Sequence, residues 1–393
     1  MTAVPDIVGN FGSMDEAVRY FRDKKNIPTR RWDELLHGMN APAFTIAGAT
    51  EEAFLADMHK AVAAAIEKGE TLEDFRQRFD DIIRRQGWKM SGAEKADNAG
   101  YRAWRTSVIY HTNVRTAYMA GRWETLKHFP YLKYKHNTVN NPRKDHQEWD
   151  GLIIATDDPW WETHYPPNGW GCRCTVIGIS KQRLGTQKPD AAPTPAMRDE
   201  KVPAEWRYNL GIAAFGRATE KTATTDPRDW LPMDPYFPDH YDRPDIPFDA
   251  PTVPLAPRTD SIPEIRQRFR DLFGGDSVTF IDPTDAVMSV TQAMITHWAE
   301  KQGGFEGREA YLPLLREIIE DPYEIWVGFE RHQRTGKVRI RRRYIKGLMV
   351  GKKKIGGVVL DSIPGEWVAL TMFHGSLTGA KNLRTGRMTW FRK

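Results

Sequence analysis

Cys172 and Cys174 are the only cysteines of the 393-residue chain, one residue apart in Pro166-Pro-Asn-Gly-Trp-Gly-Cys-Arg-Cys174. Upstream stand His146, in Asp145-His146-Gln-Glu-Trp-Asp150-Gly151, and His164, in Trp160-Trp-Glu-Thr-His164. Zinc takes thiolates and imidazoles in tetrahedral sites, so His146, His164, Cys172 and Cys174 are a possible zinc-binding set. The competing reading is two reduced thiols and two hydrogen-bonded histidines in a tryptophan-rich core. The spacing favours the second, because Cys-x-Cys is not the common Cys-x-x-Cys of zinc fingers.

A second group could handle phosphates. Between Arg331 and Lys354 there are eleven Lys and Arg and no Asp or Glu. Within it, Val338-Arg-Ile-Arg-Arg-Arg-Tyr344-Ile-Lys346 reads as a strand, so Arg339, Arg341 and Arg343 would share one face. Guanidiniums aimed the same way suit a phosphate backbone, with Lys346 adding charge. A solvated basic face is the plainer alternative. Trp326, Phe329 and Tyr344 lie in or near this sheet and either stack on bases or fill the core.

The C-terminal part also holds His297, His332 and His374, and no clustered carboxylates of the metal-nuclease kind. Metal-free RNA cleavage needs a base for the 2′-hydroxyl, an acid for the leaving oxygen, and cations or hydroxyls for the phosphorane. His297 is the candidate base, set against a plain helix-face role. Arg308 can neutralise phosphate, and Tyr344 and Thr371 can donate hydrogen bonds.

The elements that must position these residues divide into three stretches. Residues 1–180 are mainly helical: Met14–Lys24, Thr50–Lys68 with Thr50 as cap and Gly69 as stop, Thr71–Arg85, and Tyr101–His128. In the last, Trp104, Val108, Val114, Ala117, Tyr118 and Gly121 are expected on a close-packed face. Short strands are expected at Tyr131–Tyr134 and Leu152–Ala155, between Pro and Asn-Gly turns. Residues 181–257 are dense in proline and read as a connector with a short helix near Glu205–Phe215. Residues 258–393 read as helices at Pro263–Phe273, Ala286–Gln302 and Arg308–Glu320. Strands follow at Tyr323–Arg331, Lys337–Ile345, Lys354–Leu360, Trp367–Phe373 and Arg387–Phe391. The fold class is therefore α+β and multidomain, ending in an antiparallel sheet of four to five strands.

Composition narrows the classes. Hydrophobic residues at 40% and charged residues at 28% are the balance of a globular protein. No apolar run approaches the roughly 18 to 20 residues of a membrane span, and the N-terminus does not read as a secretory signal. Synthesis in the cytoplasm with reduced cysteines is expected. The net charge of +5 is uneven: from Leu255 onward there are 23 Lys and Arg against 16 Asp and Glu. Nucleic acid is a candidate partner for that end.

Ile109-Tyr-His-Thr-Asn113-Val-Arg115-Thr-Ala-Tyr118-Met-Ala-Gly121-Arg122, then Asp145-His146, Trp149-Asp150-Gly151, Asp158-Pro159-Trp160 and Pro166 to Cys174 resemble the Mu F-type head morphogenesis proteins of tailed phages in order and spacing. The resemblance runs from about Met14 to Ser180. It implies a minor capsid protein made in the bacterial host cytoplasm, incorporated in the virion head, with portal and capsid proteins as partners. No hydrolytic nucleophile with its base is evident there.

From about Ser261, the order His297, Arg308, Tyr311-Leu-Pro-Leu-Leu, Glu324-Ile-Trp326, Arg343-Tyr344-Ile-Lys346, Trp367, Thr371-Met-Phe373 and Arg384-Thr-Gly386 resembles the phage nuclease-like domains of the barnase–EndoU–colicin–RelE class. That resemblance implies an RNase-like effector with RNA as substrate and no required cofactor. A non-enzymatic alternative makes the basic domain a passive binder of nucleic acid or capsid; convergence of His297, Arg308, Tyr344 and Thr371 in one cleft separates the two, and scattered positions would sink the nuclease reading built on them. An ADP-ribosyltransferase lacks support, because the C-terminal part contains no Glu-x-Glu.

Overall fold

The computed structural model describes residues 11–87, 99–137, 139, 141–193, 202–217, 229–233, 246–300, 305–350, 353–355, 358–363, 366–372 and 384–392. For 11–14, 350 and the described stretches within 353–372 it describes the backbone alone. His374 lies outside the described residues. The chain divides into two compact units, one of residues 1–230 with 331–338, the other of 231–330 with 339–393. Among the described residues no helix is long and apolar enough to cross a membrane.

The first unit opens with α1 (Phe11–Arg22), then a two-residue parallel pairing of β1 (Lys25–Asn26) with β2 (Ala43–Phe44). α2 (Glu52–Lys68) stops at Gly69, whose left-handed φ of 64° lets its N–H return to Ala65. Its N-cap is Glu51, not the expected Thr50, and it has no side-chain cap bond. α3 (Leu72–Gln86) begins with a reciprocal box in which Thr71 and Asp74 each accept the other's backbone N–H. α4 (Ala99–Leu126) is the long helix against which α1 packs. Its buried face carries Ile109, Ala117, Ala120, Gly121 and Trp123, and the small residues permit close approach. Trp104, expected inside, is 55% exposed, because the buried positions nearest to it, Thr106 and Ile109, lie towards the opposite side of the helix.

A three-stranded antiparallel sheet follows, in the order β4 (Ile153–Ala155), β3 (Tyr131–Lys135), β5 (Thr175–Ile179). β3 alternates as a half-buried strand should, with Leu132 and Tyr134 inward. Between strands lie α5 (Lys144–Glu148) and α6 (Trp161–His164). After β5, the proline-rich stretch includes α7 (Lys181–Leu184), a 3-10 turn at Ala204–Trp206 and α8 (Leu210–Phe215). Trp206 enters the same aromatic core as Trp123, Trp149, Trp160 and Trp161. α8 lies against α4, where Gly211 makes room for Trp123.

The second unit is a mixed sheet covered by helices. β6 (Trp230–Met233) pairs with β10 (Glu324–His332), and the main path runs β16 (Arg387–Phe391), β10, β11 (Val338–Ile345), β14 (Val358–Ile363), β15 (Glu366–Met372), β9 (Val287–Thr291), β8 (Ser277–Ile281). A smaller sheet joins β13 (Lys353–Ile355), β12 (Gly347–Val350) and β7 (Phe248–Asp249). β9 joins β15 in parallel, and this adds a hairpin to the antiparallel strands expected from sequence. The helix expected over Ala286–Gln302 is thus β9 followed by α10 (Ala293–Glu300), since Val287, Val290 and Thr291 are β-branched. α9 (Ile262–Phe273) has Ser261 as cap, and α11 (Leu315–Glu320) packs against β8 and β14.

Candidate functional site

In the first unit, β3 and β5 are in register as far as Lys135 opposite Thr175. One step further along the ladder, His136 comes opposite Cys174, and its Nδ1 lies 3.4 Å from the Cys174 sulfur. α5 delivers His146, whose Nδ1 lies 3.5 Å from Cys174 Sγ and 3.7 Å from Cys172 Sγ. The ligand atoms of His146, Cys172 and Cys174 all fall within 4.8 Å of one another, and all three residues are buried. Trp149 stacks on the His146 ring at 5.2 Å. The loop is held by Asn137, which donates to the Arg173 carbonyl at 2.7 Å, and by Arg115, which donates to the carbonyls of Arg173 and Cys174.

His164 is not in this group. Its ring stacks on Trp160 at 4.6 Å and meets the edge of Trp149, with Nδ1 against Thr163 Oγ1 at 2.8 Å. The sequence reading thus identifies three of the converging side chains, substitutes His164 for the fourth and misses His136. The signal for His136 is strand register, which one sequence does not disclose. Between the thiols, the Cys174 S–H bond holds Cys172 well below the ordinary thiol value despite burial, and that same bond to Cys172, with burial, pushes Cys174 up.

In the second unit the arginines do share a face, but an acid sits among them. Glu330 of β10 accepts from Arg339 Nε at 2.9 Å and Nη2 at 2.7 Å. Arg341 and Arg343 each approach the same carboxylate at 3.3 Å. Three guanidiniums thus gather around one carboxylate, cations suited to phosphate beside a carboxylate oxygen. Gly328, two residues before Glu330, gives the Arg343 guanidinium its space.

The opposite face of β11 is structural. Tyr344 is fully buried and donates to Asp282 at 2.6 Å; Arg342 donates to the Tyr344 oxygen at 2.9 Å and to Asp282. Burial raises the Asp282 carboxyl, but Arg342, Tyr344 and Thr284 outweigh it and hold the carboxyl below its usual range. Lys346, next in the alternation, is buried against Asp321 at 2.5 Å and Glu317 at 3.3 Å, on the side of α11. Tyr344 and Lys346, expected to meet RNA, are therefore committed to internal partners.

The other expected residues are dispersed. His297 is half-buried on α10, in the helical layer that packs against β15. Arg308 is paired with Glu306. Thr371 is placed by its backbone: Arg343 pairs with Val359 and Val359 with Thr371, so it stands two strands from Arg343, about 10 Å at ordinary strand spacing. His332 accepts the Thr335 N–H at 3.2 Å in the β10–β11 turn. Glu324, buried, binds Arg384 through Nε at 2.8 Å and Nη2 at 2.7 Å.

Comparison with known proteins matches both ends of the chain. The family described as "Phage Mu protein F like protein" matches residues 56–177, and "phage-Barnase-EndoU-ColicinE5/D-RelE like nuclease2" matches residues 264–391. "Putative capsid assembly protein F" of Escherichia phage Mu is 32% identical over 241 residues, covering 51% of this chain and 55% of that protein. "Mu-like prophage FluMu F protein" of Haemophilus influenzae is 30% identical over 225 residues, covering 48% and 54%. The chain thus spans about half the length of these curated relatives. No solved structure matches it. By these matches and the α+β architecture, the chain joins a Phage Mu F-like domain to a C-terminal phage nuclease-like domain of the barnase–EndoU–colicin–RelE class.

Proposed function

We propose that this is a phage head-assembly protein, carried in the virion and bound to portal or capsid proteins, whose C-terminal domain is a metal-independent endoribonuclease. The head-assembly half of the reading is supported by the likeness of residues 56–177 to the Mu F proteins and by the name of the phage Mu relative. The observation that carries the nuclease half is the convergence of Arg339, Arg341 and Arg343 on Glu330.

The arginines hold the scissile phosphate and neutralise the charge that builds on it. Glu330 takes the proton of the 2′-hydroxyl, the 2′-oxygen attacks phosphorus, and the bond from phosphorus to the 5′-oxygen breaks. The leaving oxygen takes a proton from water or an acid of the site, and the product ends in a 2′,3′-cyclic phosphate. His297, Arg308, Tyr344 and Thr371 do not converge, so the catalytic set first expected is given up. Glu330 takes the base role in place of His297 because, among the described residues, it is a carboxylate that faces the phosphate-binding arginines.

Two experiments test the halves separately. Mass spectrometry of purified heads from a lysogen producing this protein should find the full chain; its absence from heads contradicts the assembly role. The purified chain, without added divalent metal, should degrade RNA. Binding without cleavage would leave the domain a passive nucleic-acid binder.

A further inference from the structure

We propose that His136, His146, Cys172 and Cys174 hold one structural zinc ion. Side chains from three separated segments meet there: His146 of α5 with Cys172 and Cys174 of the loop before β5, their ligand atoms all within 4.8 Å of one another, and His136, the residue after β3, against Cys174. Zinc–sulfur bonds of about 2.3 Å and zinc–nitrogen bonds of about 2.0–2.1 Å at a tetrahedral angle put sulfur and nitrogen ligands about 3.6 Å apart. Three of the four sulfur–nitrogen separations in the set, His136 to Cys174 and His146 to each sulfur, are 3.4, 3.5 and 3.7 Å.

Hydrogen bonding among the side chains accounts for this less well. Both sulfurs approach the same nitrogen, His146 Nδ1, which carries either one lone pair or one N–H and makes one good bond. The other ring nitrogen, Nε2, is buried with no hydrogen-bond partner among the described residues, so the polar surroundings of this imidazole lie on the sulfur side. A cation among His146, Cys172 and Cys174 satisfies them together, with His136 beside Cys174 as the fourth ligand.

Four protein ligands close a tetrahedron and leave no position for substrate, which makes the ion a staple rather than a reagent. It would fasten the ends of β3 and β5 to α5 beside the tryptophan core, where the backbone has turned out of regular strand. A cavity lined by His136, His146, Cys172 and Cys174 opens at the same place and gives the ion an entry path.

The test uses the full-length chain, purified reduced without chelator, saturated with zinc and dialysed. Elemental analysis should find about one zinc per chain. Cobalt in its place should show thiolate-to-cobalt charge-transfer absorption with the visible bands of a tetrahedral ion. The two thiols should react with a disulfide reagent at least tenfold faster once a strong chelator is added. Cys172→Ser and His136→Asn should each lower zinc affinity at least tenfold, whereas His164→Gln should keep the metal. Where a variant fails to fold, the cobalt spectrum and chelator-dependent thiol reactivity of the unaltered chain decide. Less than a tenth of an equivalent of metal, with thiol reactivity indifferent to chelator, overturns the site. Loss of metal on His164→Gln with retention on His136→Asn overturns the ligand set.

Discussion

A Cβ on Gly328 would lie 2.2 Å from Nη1 of Arg343, so the absence of a side chain on β10 is what lets this guanidinium lie over the strand towards Glu330. The clash is with the tip of a flexible side chain, so Gly328→Ala should displace the guanidinium rather than break the sheet. We predict an RNA dissociation constant raised about 5- to 30-fold, as loss of roughly 1–2 kcal/mol of a charged contact implies. Thermal unfolding should be nearly unchanged. Unaltered RNA affinity would argue that Arg343 does not contact the phosphate.

Tyr344 bonds Asp282 beneath the sheet, and that bond is structural in this account. Tyr344→Phe removes one donor from a buried carboxylate and should cost the second unit about 1–3 kcal/mol. The same network makes acid stability diagnostic. With its carboxyl held low in the folded state, Asp282 contributes stability above the unfolded Asp value of about 3.9, and that stability is lost as pH falls through the lower folded value. Urea midpoints from pH 6 to 2 should decline less steeply in Asp282→Asn, although this variant starts less stable.

The first unit has a second acid sensor, a histidine that loses stability in a higher pH window. His59 lies stacked on Phe44 and meets the Phe21 carbonyl at 2.8 Å, and burial lowers its imidazole to about 4. An unfolded histidine titrates near 6.5, so between pH 6.5 and about 4 the unfolded chain binds more protons. Stability should therefore fall as pH drops through that window and level off below it. His59→Leu should flatten this part of the profile, measured as the denaturation midpoint against pH.

Packing of α8 on α4 allows no added carbon. A Cβ on Gly211 would meet Trp123 Cβ at 2.2 Å, a contact between two stiff elements. Gly211→Ala should destabilise the first unit by about 1–3 kcal/mol through overpacking, despite alanine's better helix propensity. A rise in Tm would contradict this packing.

Much of this architecture is legible in sequence where local chemistry decides it. Gly69 marks a helix end, helices are legible from Thr71 and to Phe273, and Tyr131 to Tyr134 reads as a short strand. What escapes is set by tertiary pairing. Val287 to Thr291, whose β-branched residues permit a strand, is settled as one by pairing with β8 and β15. His136 meets Cys174 because of a strand register, while His164, nearer in sequence, turns into the tryptophan core. Glu330 lies one residue outside the acid-free stretch that begins at Arg331, so a count along the chain misses the carboxylate that a neighbouring strand places among the arginines.

The central claim is that Glu330 and its arginines cleave RNA. The most direct measurement compares the full-length chain with Glu330→Gln on an end-labelled RNA, without added divalent metal, reading both rate and fragment ends. The unaltered chain should leave 2′,3′-cyclic phosphate ends, and the variant should cleave about 10²- to 10⁴-fold more slowly, the usual contribution of a general base. Intact RNA with the unaltered chain, or equal rates from the two proteins, would contradict it.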